Sequence, residues 1–334
     1  MNLTWEVTLL CNLRCRHCLS SSAVPAKDEM TTAEALDLVD QLSRERVFQI
    51  NFGGGEPFMR PDFLQIIDAC HVKGIMTCIS TNGTLINQEL VDYLSRTRLV
   101  AIQVSLDGAR SETCDEIRGK GTYGAAIQAL KLLAKTRIPT SINTVLTAKN
   151  AGEVEELQRL ADEIGVSLRI SRFRPSGRGA QTYEELKPTP AQLLDFSAWL
   201  GRNDNIRTGD SFFSLSPQER QGLGLNLCGA CKLTCCVGPT GKMYPCAFLQ
   251  SERFEAGDLR RNSFKEIWDN SEIYNDFRQL RVYSCEGCDR FDLCHGGCPA
   301  VAYYLKGDIA GGDPECLQQC VTALADMKER AGAV

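Results

Sequence analysis

The stretch CNLRCRHC, residues 11–18, constrains this chain more than any other part of its sequence. It follows a short apolar segment, Leu3 to Leu10, and sets Cys11, Cys15 and Cys18 in a C-x3-C-x2-C spacing. Three thiolates on one short loop can hold three irons of a [4Fe–4S] cluster. The fourth iron then lacks a protein ligand, and an open coordination position is a place for chemistry. A structural zinc site is the alternative, but zinc usually takes two C-x2-C pairs and no second pair lies nearby.

The composition narrows the class of protein. The chain has 334 residues, a formal net charge of −5 and no long basic run. This length favours one large domain and one small domain, and the charge argues against nucleic acid or an anionic membrane as a partner. Neither a signal peptide nor an apolar run of transmembrane length is present in the sequence, so we expect a cytoplasmic protein. In a reducing compartment, 17 cysteines indicate metal or redox use.

Residues 3–173 alternate between predicted strands and helices, which is the pattern of parallel βα units. After the segment Leu3 to Leu10, five more strands are predicted, at 47–52, 74–81, 100–106, 139–146 and 166–173. Six units predict an α/β fold with a partial (β/α)6 TIM-like barrel, whose site lies at the C-terminal ends of the strands. From about Pro188 the alternation fades. PTPAQLLDFSAWL is predicted as a further helix, and RTGDSFFSLSP as a loop crossing to a second module.

Three motifs fall at the predicted strand ends. GGGEP (53–57) follows the second strand, STNG (80–83) the third and SLDG (105–108) the fourth. Glycines let a ligand approach the backbone closely, and a carboxylate can accept a hydrogen bond from an ammonium group. Hydroxyl and carboxylate groups suit a ribose. Each motif alone is also an ordinary turn sequence, but their common place at strand ends favours the functional interpretation.

Together these features resemble the radical S-adenosylmethionine (SAM) enzymes. In that family the open iron binds the amino and carboxylate groups of SAM, and SAM is cleaved to a 5′-deoxyadenosyl radical. The resemblance implies that Cys11, Cys15 and Cys18 hold the SAM-binding [4Fe–4S] cluster and that no other catalytic residue is needed. The implied SAM contacts are Gly54, Gly55, Glu56, Pro57, Ser80, Asn82, Ser105, Asp107, Arg118, Asn143 and Ile170. A solvated charge for Arg118 and core positions for Asn143 and Ile170 are the structural alternatives.

The C-terminal third carries eleven cysteines in a distinctive order. The spacing C-x12-G-x4-C, then C-x2-C-x5-C-x3-C, then a last Cys resembles the SPASM domain, which binds auxiliary iron–sulfur clusters in peptide-modifying radical SAM enzymes. The resemblance implies a radical SAM core at 1–210, a SPASM domain at 211–334 and two auxiliary clusters, expected to be [4Fe–4S]. The implied outer-cluster ligands are Cys285, Cys288, Cys294 and Cys316, and the implied inner-cluster ligands are Cys228, Cys235, Cys246 and Cys298.

The fourth inner ligand stays open at this stage, because Cys231 and Cys236 lie as near in sequence as Cys235. Cys320 has no assigned role. A zinc ribbon built on Cys285 and Cys288 is the alternative, and it leaves the remaining cysteines of the module without explanation.

Three segments resemble the mycofactocin maturases: LTWEVTLLCNLRCRHCLSSS, LRISRFRPSGRG, and TGDSFFSLSP with GLNLCGAC. The resemblance implies a ribosomally made precursor peptide as substrate. Its C-terminal Tyr would lose a β-hydrogen and be oxidatively decarboxylated, and a second step would join it to the preceding Val. Cys231 departs from the family, which has Gly there. Because the first strand begins near residue 3, we expect a small separate protein to present the peptide, and a flavodoxin or ferredoxin to supply electrons.

Other functions remain compatible with these motifs. Another peptide-modifying radical SAM enzyme could form thioether or carbon–carbon links. A sulfatase-maturing enzyme is disfavoured, because relatives of that type carry an Asp base directly after the G-x4-C cysteine and this chain has Ala247 there. The alternative outside the enzymes is a non-enzymatic electron carrier. It would assign no function to the open iron or to the GGGEP motif.

Overall fold

One nine-stranded sheet runs through the chain in this computed structural model, which describes residues 1–203, 206–208, 228–289, 291–316, 318 and 320–321. The six predicted strands are confirmed, and their ends differ from the prediction by at most two residues. The strands are β1 (Asn2–Thr8), β2 (Gln49–Gly54), β3 (Met76–Thr81), β4 (Leu99–Ser105), β5 (Thr140–Leu146), β6 (Ser167–Arg172), β7 (Thr234–Val237), β8 (Lys242–Tyr244) and β9 (Gly257–Asp258).

The strand order is β6-β5-β4-β3-β2-β1-β7-β8-β9. All pairs from β6 to β7 are parallel, whereas β8 and β9 are antiparallel to their neighbours. Within the described part of the chain, β6 and β9 are the edges of the sheet. The predicted partial barrel is therefore confirmed as an unclosed barrel of parallel strands.

Helices between β1 and β6 pack on the outer face of the sheet, and further helices follow β6. They are α1 (Thr32–Arg44), α2 (Phe63–Val72), α3 (Gln88–Leu94), α4 (Ser111–Arg118), α5 (Thr122–Leu133), α6 (Val154–Ile164), α7 (Tyr183–Leu186), α8 (Pro190–Gly201), α9 (Phe264–Asn270), α10 (Glu272–Arg278), α11 (Phe291–Cys294) and α12 (Pro299–Lys306). Local sequence sets their ends: Thr31 and Glu34 form a capping box before α1, and Gly165 ends α6 in a left-handed conformation. Among the described residues, no helix is long and apolar enough to span a membrane.

The two faces of the sheet differ in chemistry because successive residues of a strand point in opposite directions. Trp5, Phe52, Ile79, Val104 and Ile142 point outward and are at most 1% exposed. They form one core with the apolar sides of the helices. The opposite face is polar and lines the interior of the barrel.

The cysteine-rich module continues the barrel sheet. β7 pairs with β1 in a register that sets Leu3 beside Cys235 and Thr4 beside Cys236. Arg260 also binds Glu34 at the start of α1, with 2.7 Å between Nε and Oε1. The predicted crossing loop after Thr208, the GLNL segment before Cys228 and the predicted domain boundary at residue 210 lie outside the described residues.

Candidate active site

The cysteine loop lies between β1 and α1, at the C-terminal end of the barrel strands. Cys11, Cys15 and Cys18 are free thiols and partly exposed. Burial raises the pKa of Cys15 to about 11, and the nearby Cys18 and Cys11 add to this effect while Arg118 opposes it. The three thiols therefore lie close enough to influence one another.

This donor set fits an iron–sulfur cluster. Within the described ranges, no three His, Cys, Asp or Glu side chains converge closely enough to hold a single metal ion. A cube distributes its thiolate ligands over separate irons, so it needs thiols that are neighbours without meeting at one point. Three such thiols on one loop are the ligands that a [4Fe–4S] cluster with one open iron requires.

The GGGEP motif packs against the cysteine loop through its backbone. Gly55 N donates to Thr8 O at 2.7 Å, and Glu56 N donates to Leu10 O at 2.8 Å. A Cβ atom on Gly55 would lie 2.1 Å from Leu10 O, and a Cβ on Gly54 would lie 2.5 Å from Thr8 O. Gly54 also has a φ of +106°. These contacts require glycine, because a side chain at either position would displace the start of the cysteine loop.

The Glu56 carboxylate joins the GGGEP motif to the STNG motif. It accepts hydrogen bonds from Thr81 Oγ1 at 2.8 Å and from Asn82 N at 2.7 Å. Burial raises its pKa to about 7, against the opposing effect of these hydrogen bonds. Asn82 in turn donates through Nδ2 to Asn12 Oδ1 at 2.9 Å. Both side chains were predicted as SAM contacts, and in this structure these polar atoms bind neighbouring loops.

Asp107 has a different role from the predicted ribose contact. Its carboxylate is 0% exposed, and it receives Val145 N at 2.7 Å, His17 Nε2 at 2.6 Å and the Arg118 guanidinium at 2.5 Å. Although burial would raise the pKa of Asp107, Arg118 and His17 hold it at about 2. We therefore revise its assignment: Asp107 ties β4 to the cysteine loop and orients Arg118.

Arg118 lies beside the cysteine loop, as its predicted role requires. It is the last residue of α4 and is 8% exposed, so it is not a solvated surface charge. Its Nη1 lies 3.9 Å from Cys15 Sγ. The pKa of Arg118 stays high: burial alone would lower it, but Asp107 outweighs that effect. A permanent cation at this position suits a carboxylate ligand next to the cluster.

The interior face of the barrel presents the remaining predicted SAM contacts. The strand register sets Ser80, Gln103 and Ser141 in one row and Ser105, Asn143 and Arg169 in the next. Because paired residues of parallel strands point to the same side, these polar side chains share the interior.

Ile170 does not belong to this interior set. Its side chain is 0% exposed on the outer face, and its N donates to Arg207 O at 2.9 Å. The core alternative therefore describes the side chain of Ile170.

Sequence reasoning missed several residues around the cysteine loop. Arg178 donates through Nε to Cys15 O at 2.8 Å, and Gly179 N donates to Cys18 O at 3.1 Å. His17 lies inside the cysteine motif but acts through Asp107 rather than as a metal ligand. Glu6 on β1 is 2% exposed, and its Oε2 has no hydrogen-bond partner in the described part of the chain. The short GRG sequence was the available signal for Arg178 and Gly179.

The four predicted outer-cluster ligands lie together in the cysteine-rich module. Burial raises the pKa of Cys294, and the nearby Cys316, Cys285 and Cys288 raise it further. A Cβ atom on Gly312 would lie 2.9 Å from Cys285 Sγ, so the chain before Cys316 also passes close to this group. The geometry is compatible with a second cluster bound by these thiols.

A second group of thiols surrounds Cys246. Burial raises its pKa to about 12, with a further contribution from Cys298 and Cys228. Cys231 interacts with Cys246 and Cys228 as well as with Cys235. Cys235 points to the outer face of the sheet beside Leu3, where it contacts the hydroxyl of Tyr274.

The fold and these thiol groups define a class. A model of the radical SAM superfamily matches residues 5–161, and a model of the iron–sulfur cluster-binding SPASM domain matches residues 228–295. Streptococcus suis SuiB bound to S-adenosylmethionine shares the fold with a TM-score of 0.73 and 20% identity, covering 94% of this chain and 75% of that chain. The anSMEcpe enzyme with bound AdoMet gives a TM-score of 0.73 at 22% identity, covering 90% and 89%. This is a radical SAM enzyme with a SPASM domain, and its cofactors are SAM and iron–sulfur clusters.

Sequence relatives identify the family of the chain within this class. It is 41% identical over 322 residues to mycofactocin maturase MftC of Mycobacterium ulcerans, covering 95% of this chain and 87% of that protein. It is 30% identical to an AdoMet-dependent heme synthase of Methanosarcina barkeri, covering 94% and 95%. It is 27% identical to PqqA peptide cyclase of Rhizobium meliloti, covering 95% and 87%. The chain belongs to the mycofactocin maturase family, which confirms the resemblance seen in its sequence.

Proposed function

We propose that this enzyme oxidatively decarboxylates the C-terminal Tyr of a ribosomally made precursor peptide and then joins that residue to the preceding Val. The observation that carries the proposal is the 41% identity to a mycofactocin maturase along nearly the whole chain. SuiB, which shares the fold, has been solved bound to its precursor peptide SuiA. Ala247 supports the same choice, since a sulfatase-maturing enzyme would carry an acidic base at that position.

In this proposal, the residues at the C-terminal ends of the barrel strands have different functions. Cys11, Cys15 and Cys18 hold the cluster at which SAM, when bound, supplies the hydrogen-abstracting radical. Arg118 receives the SAM carboxylate, and the backbone of Gly54 to Pro57 receives its amino group. The interior hydroxyl and amide groups of Ser80, Ser105 and Asn143 face the space where nucleoside and peptide must meet.

The cysteine-rich module supplies the ligands of two auxiliary clusters in this proposal. Cys285, Cys288, Cys294 and Cys316 hold the outer cluster. Cys228, Cys246 and Cys298 hold the inner one. The fourth ligand is Cys235, as predicted, or one of the two open alternatives: Cys231, which interacts with both Cys228 and Cys246, or Cys236, which interacts with Cys246. The domain division near residue 210, a cytoplasmic location, a small peptide-presenting protein and a flavodoxin or ferredoxin donor belong to the same proposal.

The test is an anaerobic turnover experiment. Reconstituted enzyme, SAM and a reductant are mixed with a precursor peptide ending in Val-Tyr and its presenting protein, and the peptide is analysed by mass spectrometry. Loss of carbon dioxide and two hydrogens supports the proposal. An unchanged peptide with 5′-deoxyadenosine formed refutes this substrate and points to another peptide maturase. The C11A/C15A/C18A variant is the matched control, and it should form neither product.

A further inference from the structure

Two buried arginines lie where β6 ends: Arg172 is the last residue of the strand, and Arg174 follows two residues later. Arg172 is 7% exposed and Arg174 is 5% exposed. The two cations therefore lie near thiols that are proposed to hold the inner auxiliary cluster, Arg172 near Cys298 and Arg174 near Cys246. Neither residue was predicted to have a role from the sequence.

Arg172 is held by two carboxylates of the distant module. Its Nη1 and Nη2 bind both oxygens of Asp313, with 2.8 Å between Nη2 and Oδ1. Its Nε lies 3.0 Å from Glu315 Oε2. The hydroxyl of Tyr183 binds the other oxygen of Glu315. This buried network fixes the chain just before Cys316 to the end of β6.

Asp313 also contacts Cys298, one of the proposed ligands of the inner cluster. Its Oδ2 accepts a hydrogen bond from Cys298 N at 3.1 Å. Gly297 has a φ of +78°, and a Cβ atom there would lie 2.4 Å from Asp313 Cβ. The backbone before Cys298 is therefore pressed against Asp313, and Arg172 in turn determines where Asp313 lies.

Arg174 lies near the same group of thiols. Its guanidinium stacks on the ring of Phe248, 4.1 Å from the ring centroid. Phe248 is two residues from Cys246, and the charge of Arg174 acts on the Cys246 thiol. An aromatic face attracts a cation without cancelling its charge, so Arg174 can exert its field on a neighbouring group.

We propose that Arg172 and Arg174 are positioning residues for the inner auxiliary cluster: Arg172 fixes Cys298 through Asp313, and Arg174 raises the reduction potential of the cluster. The inference rests on the proposed assignment of Cys228, Cys246 and Cys298 to that cluster. One-electron reduction adds one negative charge to a cluster, and a nearby buried cation favours that charge. Local charge and hydrogen bonding are established determinants of cluster potentials.

The two arginines should differ in effect. The charge of Arg172 is shared with two carboxylates, so its removal should disturb the geometry of the cluster and its iron content. Removal of Arg174 should leave the ligands in place and lower the midpoint potential. Arg110 is the matched control, because it also forms an ion pair with a glutamate but its side chain is 59% exposed.

The experiment uses the C11A/C15A/C18A chain as parent, so that only the auxiliary clusters contribute to the spectra. R172Q, R172K, R174Q and R110Q are made in this parent and reconstituted anaerobically. Iron content is measured, and midpoint potentials are determined by redox titration monitored by electron paramagnetic resonance. A tenfold loss in the equilibrium constant for reduction corresponds to about 59 mV for a one-electron couple.

The expected result is a lower midpoint potential at full iron content in R174Q, loss of iron or an altered signal in R172Q, and partial recovery in R172K. R110Q should match the parent. Midpoint potentials equal to those of the parent, with full iron, in both R172Q and R174Q would overturn the inference. A parent that binds no auxiliary iron would instead refute the proposed cluster assignment, and the inference with it.

Discussion

Replacing Asp107 with asparagine should destabilise the barrel. The carboxylate is 0% exposed and binds His17, Arg118 and Val145 N. An amide oxygen can still accept from Val145 N. It cannot neutralise the buried Arg118 guanidinium, so D107N removes the charge pair while preserving the shape of the side chain.

The magnitude follows from the pKa of Asp107. Arg118 and His17 overcome the effect of burial and hold that pKa at about 2, against an ordinary value of 3.8. A difference of nearly two units corresponds to roughly 2 kcal/mol of stability. Leaving one partner of a buried pair unneutralised typically costs about 3–5 kcal/mol. We therefore expect D107N to lower the free energy of unfolding by about 3 kcal/mol near neutral pH.

The pH dependence has a defined sign. The folded-state pKa of Asp107 is depressed, so its stabilising effect is fully present above the ordinary pKa near 4 and is lost as the pH falls toward 2. The difference in unfolding free energy between wild type and D107N should therefore shrink across that acidic range. The measurement is urea unfolding of the metal-free chain, followed by circular dichroism at several pH values.

Ser105→Ala is the matched control, because Ser105 is on the same motif but faces the interior of the barrel. S105A should change stability by no more than about 0.5 kcal/mol. In the cluster-loaded enzyme it should weaken SAM binding, measured by isothermal titration calorimetry. If D107N instead kept wild-type stability and lost SAM affinity, Asp107 would be a direct ribose contact and our revision of its role would be refuted.

Three further predictions test other parts of the site. Burial raises the pKa of Glu6 from 4.5 to about 7, so the metal-free fold loses stability as the pH rises from about 4.5 to 7. E6Q should therefore be more stable than wild type by about 3 kcal/mol at pH 8 in urea unfolding, and this gain should fade as the pH drops toward 4.5. G55A should lose iron from the cysteine-loop cluster, since the new Cβ would lie 2.1 Å from Leu10 O, whereas G124A has open space and should load normally. If Cys231 is the fourth inner ligand, C231A should lower auxiliary iron content and C235A should not; the reverse result would restore the original assignment.

The barrel was predictable because its signals are local. Each of the first six strands contains apolar residues and is bounded by turn residues, and capping residues such as Thr31 and Asn87 mark helix starts that the structure contains. The strands β7 to β9 were not predicted. They are two to four residues long, and β7 owes its place to pairing with β1, which lies more than 200 residues earlier in the chain.

The position of the site was predictable, but the partners of its side chains were not. Parallel topology brings the ends of β2, β3 and β4 together, so the three motifs had to meet. Nothing in a single motif shows whether a carboxylate there faces a ligand or another loop. The carboxylates of Glu56 and Asp107 both form hydrogen bonds with other protein groups. His17 binds Asp107, which lies 90 residues later in the chain.

The buried charges at the strand ends share one function, which is to hold loops that have little regular structure of their own. Glu56 joins the ends of β2 and β3, and Asp107 joins β4 to the cysteine loop. Arg172 joins β6 to the chain that carries Cys316. All of these contacts are between protein atoms, so they can form before any cluster is inserted. The barrel thus sets the positions of the proposed cluster ligands in advance, and less ordering of the chain is left to accompany cluster binding.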